Sequence, residues 1–285
     1  MGDQAEKLRE AFQEYNGSGR KGTYIITVAS GKGGVGKSTL TVNMGLLLSR
    51  KGKKVTVVDA DFGLANVNVM LGVLPKYTLY HVFKGEKNLS DVILNIDLNF
   101  NIIAGASGFT HLVNLSEKDR IKFVDQLEQL NHNDFLLIDA GAGISKNVLT
   151  MMQAAHESFI VTTPEPTAIA DAYGIIKAII SYDRDIRLNL IVNKARDFSE
   201  ARNVSQRIIN IAEQFLNVHI NYLGFIFEDA AVGKSIRLQE PLVYHDPKSK
   251  AGLCLENIVN RILNIEPDRK QGGLRNFFQK FLSMN

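Results

Sequence analysis

Gly31-Lys32-Gly33-Gly34-Val35-Gly36-Lys37-Ser38-Thr39 decides how this chain is read. An apolar, β-branched run over Tyr24–Ala29 precedes it, and a helical pattern over Thr39–Arg50 follows. The pattern G-x-x-x-x-G-K-[ST] between a strand and a helix is that of a phosphate-binding loop. Its glycines let backbone N–H groups curl around phosphate oxygens at the positive end of the helix. Lys37 is expected to neutralise the β- and γ-phosphates, and the Ser38 hydroxyl to ligate Mg2+.

Outward from that loop, apolar runs alternate with helical patterns. Strands are predicted at Tyr24–Ala29, Val55–Asp59, Asn101–Ala104, Phe135–Asp139, Ser158–Thr162, Leu188–Asn193 and Tyr222–Phe227. Helical patterns such as Lys118–Leu130, Ala168–Tyr182 and Ala201–Leu216 lie between them. Strands that are apolar throughout and separated by helices predict an α/β fold: a doubly wound, mostly parallel sheet with helices on both faces. The expected organisation is a helix over 1–16, a linker over 17–22, one body over 23–264, a second linker over 265–273 and a terminal helix over 274–285. Leu8, Ala11, Phe12 and Tyr15 give the first helix its apolar stripe.

Composition sets the outer limits. At 285 residues, 45% hydrophobic and 22% charged, the chain is an ordinary globular protein with room for a full core. A single Cys254 excludes a disulfide framework and a multi-cysteine metal site within one chain. A net charge of +3 gives no argument for nucleic acid. No apolar run reaches the roughly 18 residues of a membrane span, and the charged N-terminus is unlike a signal peptide. A soluble cytosolic chain, able to sit peripherally on a membrane, is expected.

Lys32 narrows the family. The sequence K-G-G-x-G-K-[ST] resembles the deviant Walker A motif of the family that includes MinD, ParA and the nitrogenase iron protein. The resemblance implies an ATPase in which Lys32 reaches across an ATP-bridged homodimer to the partner's phosphates. Such a cation arrives only on dimerisation and stabilises charge developing in the transition state, as an arginine finger does. Gly31, Gly33, Gly34, Val35, Gly36 and Thr39 complete the nucleotide loop around the catalytic Lys32 and Lys37. Val58-Asp59-Ala60-Asp61 resembles the family's switch I, where Asp61 would orient the attacking water and Asp59 would support Mg2+ through ordered water. Phe135-Leu136-Leu137-Ile138-Asp139 is an apolar strand ending in an acid, so Asp139 would hold the magnesium shell. Gly141 and Gly143 leave the following switch free to move.

The base is read from Asn193-Lys194-Ala195-Arg196. A guanine site of the type N-K-x-D needs a carboxylate at the fourth position, and Arg196 cannot accept those hydrogen bonds. The family resemblance implies that Asn193 bonds an adenine amino group, with backbone at Phe227 and Asp229 lining the pocket. Relatives often carry proline where this chain has Phe227. ATP or ADP with Mg2+ are therefore the expected cofactors.

The two ends add partners. Leu274, Phe277, Phe278, Phe281 and Leu282 fall at i, i+3, i+4, i+7 and i+8, with Arg275 and Lys280 on the other side. That is the composition of an interfacial membrane helix, the alternative being a helix that caps the protein's own core. One copy should bind anionic lipid marginally, and two on a dimer far better through effective concentration. At the other end, Asp3-Gln4-Ala5-Glu6-Lys7-Leu8-Arg9 resembles the N-terminal motif of the FlhG (FleN, YlxH) branch, MinD-like ATPases that control flagellar number and placement. That resemblance implies that Asp3, Gln4, Ala5, Leu8 and Arg9 stimulate an FlhF-type GTPase, with Gln4 most directly engaged. It also implies residence in the bacterial cytoplasm, peripheral to the inner membrane in the ATP-bound dimer. A flagellar switch-complex protein or a transcription factor would be a further partner.

Three alternatives compete. A MinD-type division-site regulator shares the loop, the switches and the membrane helix, but its relatives begin almost at the first strand. A partition ATPase of the ParA type would want a basic DNA-binding stripe. An iron–sulfur carrier would need paired cysteines that Cys254 alone does not supply.

Overall fold

The computed structural model describes residues 22–61, 66–105, 123, 125–126, 130, 132–264 and 277. Its elements run β1 (Tyr24–Ser30), α1 (Lys37–Arg50), β2 (Val55–Ala60), α2 (Val67–Met70), α3 (Leu79–Phe83), β3 (Ile93–Asp97), β4 (Phe100–Ile103) and β5 (Phe135–Ala142). Then follow α4 (Lys146–Ala154), β6 (Glu157–Thr162), α5 (Pro166–Tyr182), β7 (Leu188–Ala195), α6 (Phe198–Leu216), β8 (Asn221–Phe227), α7 (Ala230–Leu238), α8 (Leu242–His245) and α9 (Lys250–Asn264).

The eight strands form one sheet in the order β3-β4-β2-β5-β1-β6-β7-β8. Every pairing is parallel except β3 with β4. All seven residues of β1 are buried, as a strand covered on both faces must be. Its alternate side chains feed two cores. Ile25 and Ala29 join Ile175, Ile179 and Ile208 of α5 and α6 on one face. Ile26 and Val28 join Leu40 and Met44 of α1 and Ile258 of α9 on the other.

The seven predicted strands are present with ends shifted by three residues at most. Several elements have no counterpart among the expected ones, including the 15-residue helix α9, the edge strand and the shortest helices. The edge strand β3, which has a neighbour strand on one side only among the described residues, is partly buried and carries no clean alternation. Short helices such as α2 and α3 hold too few residues to show a period. The predicted helix over 1–16 and the linkers at 17–22 and 265–273 lie outside the described residues, apart from Gly22. So does most of Lys118–Leu130. The chain reverses its winding about β1, and such a reversal opens a crevice at the carboxyl ends of the strands.

Candidate functional site

Residues 31–36 make the turn from β1 into α1 at that crevice. Gly36 caps α1 with φ 91°, and a Cβ there would run into the Asn193 amide. Only glycine meets both conditions. No acidic residue occupies the first turn of α1, so its positive end is left for an anion.

Two neighbouring side chains at the end of β7 hold two successive loop carbonyls. Asn193 Nδ2 donates to Val35 O at 2.7 Å, and Lys194 Nζ donates to Gly34 O at 2.9 Å. Across a trans peptide the N–H points opposite to the carbonyl, so this clamp presents the Val35 and Gly36 N–H groups away from β7. Lys194 takes the left-handed φ of 56° to do so, while its own N–H donates to Asn193 Oδ1 at 2.9 Å. The side-chain oxygen retains a lone pair for a base amino group.

The loop forms one wall of a cleft of about 650 Å3, a volume suited to a mononucleotide. Ser38, Thr39, Asp61, Asn193, Phe227 and Asp229 all line it. Val232 and Ile236 of α7 make its far end apolar, as a base requires. The Asp229 carboxylate itself is occupied: it caps α7 through Ala231 N at 2.9 Å and accepts from Ala251 N at 3.1 Å. Its backbone is what remains to meet a base.

Beneath the loop lies a buried charge cluster. Lys37 Nζ sits 2.7 Å from Asp139 Oδ1, with side-chain exposures of 6% and 0%. Asp139 Oδ2 is buried without a hydrogen-bond partner. An orphaned carboxylate oxygen on the partner of Lys37 fits a hydrated Mg2+, which takes one or two carboxylates and completes its shell with phosphate and water. Asp59 stands opposite Asp139 in the β2–β5 register. Burial, then the Asp139 charge, raise the Asp59 pKa to about 6. Both Asp59 oxygens accept backbone amides, from Asp61 at 3.1 Å, Asn66 at 2.9 Å and Val67 at 3.1 Å. Asp59 therefore anchors both ends of the switch I segment from below, whereas Asp61 lines the cleft. The intervening residues 62–65 lie outside the described ones.

Lys32 and Gly31 do not line the cleft of their own chain. The Lys32 ammonium is held outside it by Glu165 Oε2 at 2.7 Å and Thr167 Oγ1 at 2.9 Å. The hydrogen bond and charge of Lys32 keep the Glu165 carboxyl below its ordinary range. Glu165, Thr167 and Lys194 had no role in the sequence reading. Glu165 and Thr167 flank Pro166 at the start of α5, and nothing in that local pattern announces a lysine 133 residues earlier. Phe277, expected to face a membrane, is 2% exposed and belongs to the same apolar cluster as Phe83 and Phe123. Leu274, Phe278, Phe281 and Leu282, with Asp3, Gln4, Ala5, Leu8 and Arg9, lie outside the described residues.

Comparison with known proteins agrees with this architecture. The family described as the CobQ/CobB/MinD/ParA nucleotide binding domain matches residues 26–242. The antiactivator FleN of Pseudomonas aeruginosa is 36% identical over 239 residues, 84% of this chain and 85% of that protein. The flagellum site-determining protein YlxH of Helicobacter pylori is 34% identical over 270 residues, 91% and 90% of the two. MinD of Pyrococcus horikoshii, solved with Mg-ADP, superposes with a TM-score of 0.70 at 26% identity, covering 88% of this chain and 100% of that one.

Proposed function

The chain belongs to the CobQ/CobB/MinD/ParA nucleotide-binding family and is a MinD-like ATPase, and on that premise we propose that it is an ATP-gated dimeric switch regulating flagellar number and placement. The observation that carries the reading is the division of labour between two lysines. Lys37 lies under the chain's own phosphate loop, whereas Lys32 is held outside the cleft by Glu165 and Thr167. A cation held outside its own cleft supports the reading that it serves the nucleotide of a second copy.

ATP entering the cleft draws Lys37 from Asp139 toward the β- and γ-phosphates. That exchange would free the Asp139 carboxylate, which with Ser38 would hold Mg2+. Such an ion would supply neutralisation of phosphate charge. Asn193 accepts from the adenine amino group, and backbone at Phe227 and Asp229 borders the ring. When two copies close face to face, Lys32 leaves Glu165 for the partner's phosphates, where it stabilises charge in the transition state. Asp61 orients the water.

Similarity to FleN and YlxH supports the flagellar role. Under that reading the apolar stripe Leu274, Phe277, Phe278, Phe281 and Leu282 binds anionic membrane when two copies act together, Phe277 leaving the core cluster that buries it in the resting chain. Asp3, Gln4, Ala5, Leu8 and Arg9 stimulate an FlhF-type GTPase. Sedimentation of Asp61→Ala with phosphatidylglycerol vesicles tests the switch: ATP should pellet it and ADP should not. Equal pelleting in both nucleotides refutes it. Residues 1–16 as a peptide should accelerate GTP turnover by the cognate FlhF-type GTPase, and inertness of both peptide and whole chain removes that partner.

A further inference from the structure

Away from the nucleotide cleft, α3 and its flanks carry three lysines set against two tyrosine rings. Lys87 Nζ lies 4.2 Å and Lys76 Nζ 5.3 Å from the centre of the Tyr77 ring, and Lys84 Nζ lies 4.5 Å from that of Tyr80. Lys76 and Lys84 are exposed; Lys87 and both tyrosines are half-buried. Among the described residues, none of the three ammonium groups forms an ion pair with a carboxylate. The opposite face of α3 is apolar, and its Leu79, Val82 and Phe83 belong to the cluster that also receives Phe277.

We propose that Lys76, Lys84 and Lys87, with Tyr77 and Tyr80, form a docking surface for anionic phospholipid headgroups. The proposal rests on the membrane reading above and adds to it a second, separate contact. A single amphipathic helix binds a bilayer only marginally, and stable attachment needs another signal such as a basic patch. Tyrosine suits the headgroup layer, since its ring is apolar and its hydroxyl polar. The rings hold the ammonium groups without neutralising them. A nucleic acid is the weaker fit, because it is gripped through many phosphates along a track, and this patch spans one five-residue helix and its flanks. The shared cluster with Phe277 joins the patch to the segment that would enter the lipid.

The test uses the full-length protein with ATP and Mg2+, pelleted with vesicles of phosphatidylcholine alone or containing phosphatidylglycerol. Each lysine near an anionic surface is worth about fivefold, so the triple variant Lys76→Gln, Lys84→Gln, Lys87→Gln should bind phosphatidylglycerol vesicles on the order of 100-fold more weakly. Its weak binding to phosphatidylcholine and its basal ATP turnover should stay at the wild-type level. A triple variant that binds both vesicles as the wild type does overturns the patch and leaves the tail reading standing. Wild type that pellets with neither vesicle overturns both. Loss of binding to a single-stranded RNA in the triple variant, with its vesicle binding intact, assigns the surface to nucleic acid and overturns the lipid assignment.

Discussion

Asp59 and Asp139 face each other in the register of two adjacent parallel strands, both fully buried, and Lys37 pairs with Asp139 at 2.7 Å. Burial first, and then repulsion between two carboxylates so placed, raise the Asp59 pKa to about 6 from an ordinary value of 3.8. A raised folded-state value means that the folded chain holds a proton the unfolded chain releases. Stability from this site is therefore fully present below about 4 and is lost as pH rises through about 6. Asp59→Asn removes the repulsion but leaves one oxygen for three backbone amides. It should stabilise the protein by about 1–2 kcal/mol at about pH 8 and hardly at all near pH 4, by urea unfolding at each pH. An unchanged slope of stability with pH in the variant would place the titration elsewhere.

Lys37 bears the opposite relation to the same pair. Lys37→Met strands the buried Asp139 without its partner, which should destabilise by about 3–5 kcal/mol and remove nucleotide binding together. Lys37→Met with Asp139→Asn should regain most of the stability and none of the binding. Additive losses in the double variant would show that the ion pair is not what ties the two residues.

The Lys32–Glu165 contact is exposed, and exposed pairs contribute little. Glu165→Gln should leave the thermal unfolding midpoint essentially where it is in the wild type. Lys32→Ala should leave nucleotide affinity of the single chain nearly unchanged while lowering dimer-dependent ATP turnover by about 10³-fold. A large fall in single-chain affinity would instead place Lys32 in its own cleft.

Phe277 divides two accounts of the terminal segment. Because it is buried in the body, Phe277→Ala should cost about 3 kcal/mol of stability in the resting chain. A change confined to vesicle binding, with stability untouched, would mean that this ring meets only lipid.

What could be read from the residues alone follows from where the physical signal is local. The loop at 31–39 announces itself because the glycines, the lysine and the flanking strand and helix are consecutive. The central strands do so because burial on both faces keeps their residues mostly apolar, with few polar ones to blur the run. The switch I resemblance sets both Asp59 and Asp61 to work at the nucleotide, but the chain leaves the strand after Ala60. Asp59 then serves the backbone while Asp61 reaches the cleft. The Asn193–Lys194 clamp on the loop and the Lys32–Glu165–Thr167 contact join segments more than 130 residues apart. No periodicity or spacing encodes such pairs; only the order of strands around β1 brings them together.

Static light scattering of Asp61→Ala with saturating ATP and Mg2+ bears most directly on the nucleotide-bridged pair. A mass twice that of one chain is expected, falling to a single chain with ADP or when Lys32→Ala is added. A single-chain mass for Asp61→Ala under saturating ATP would contradict the account.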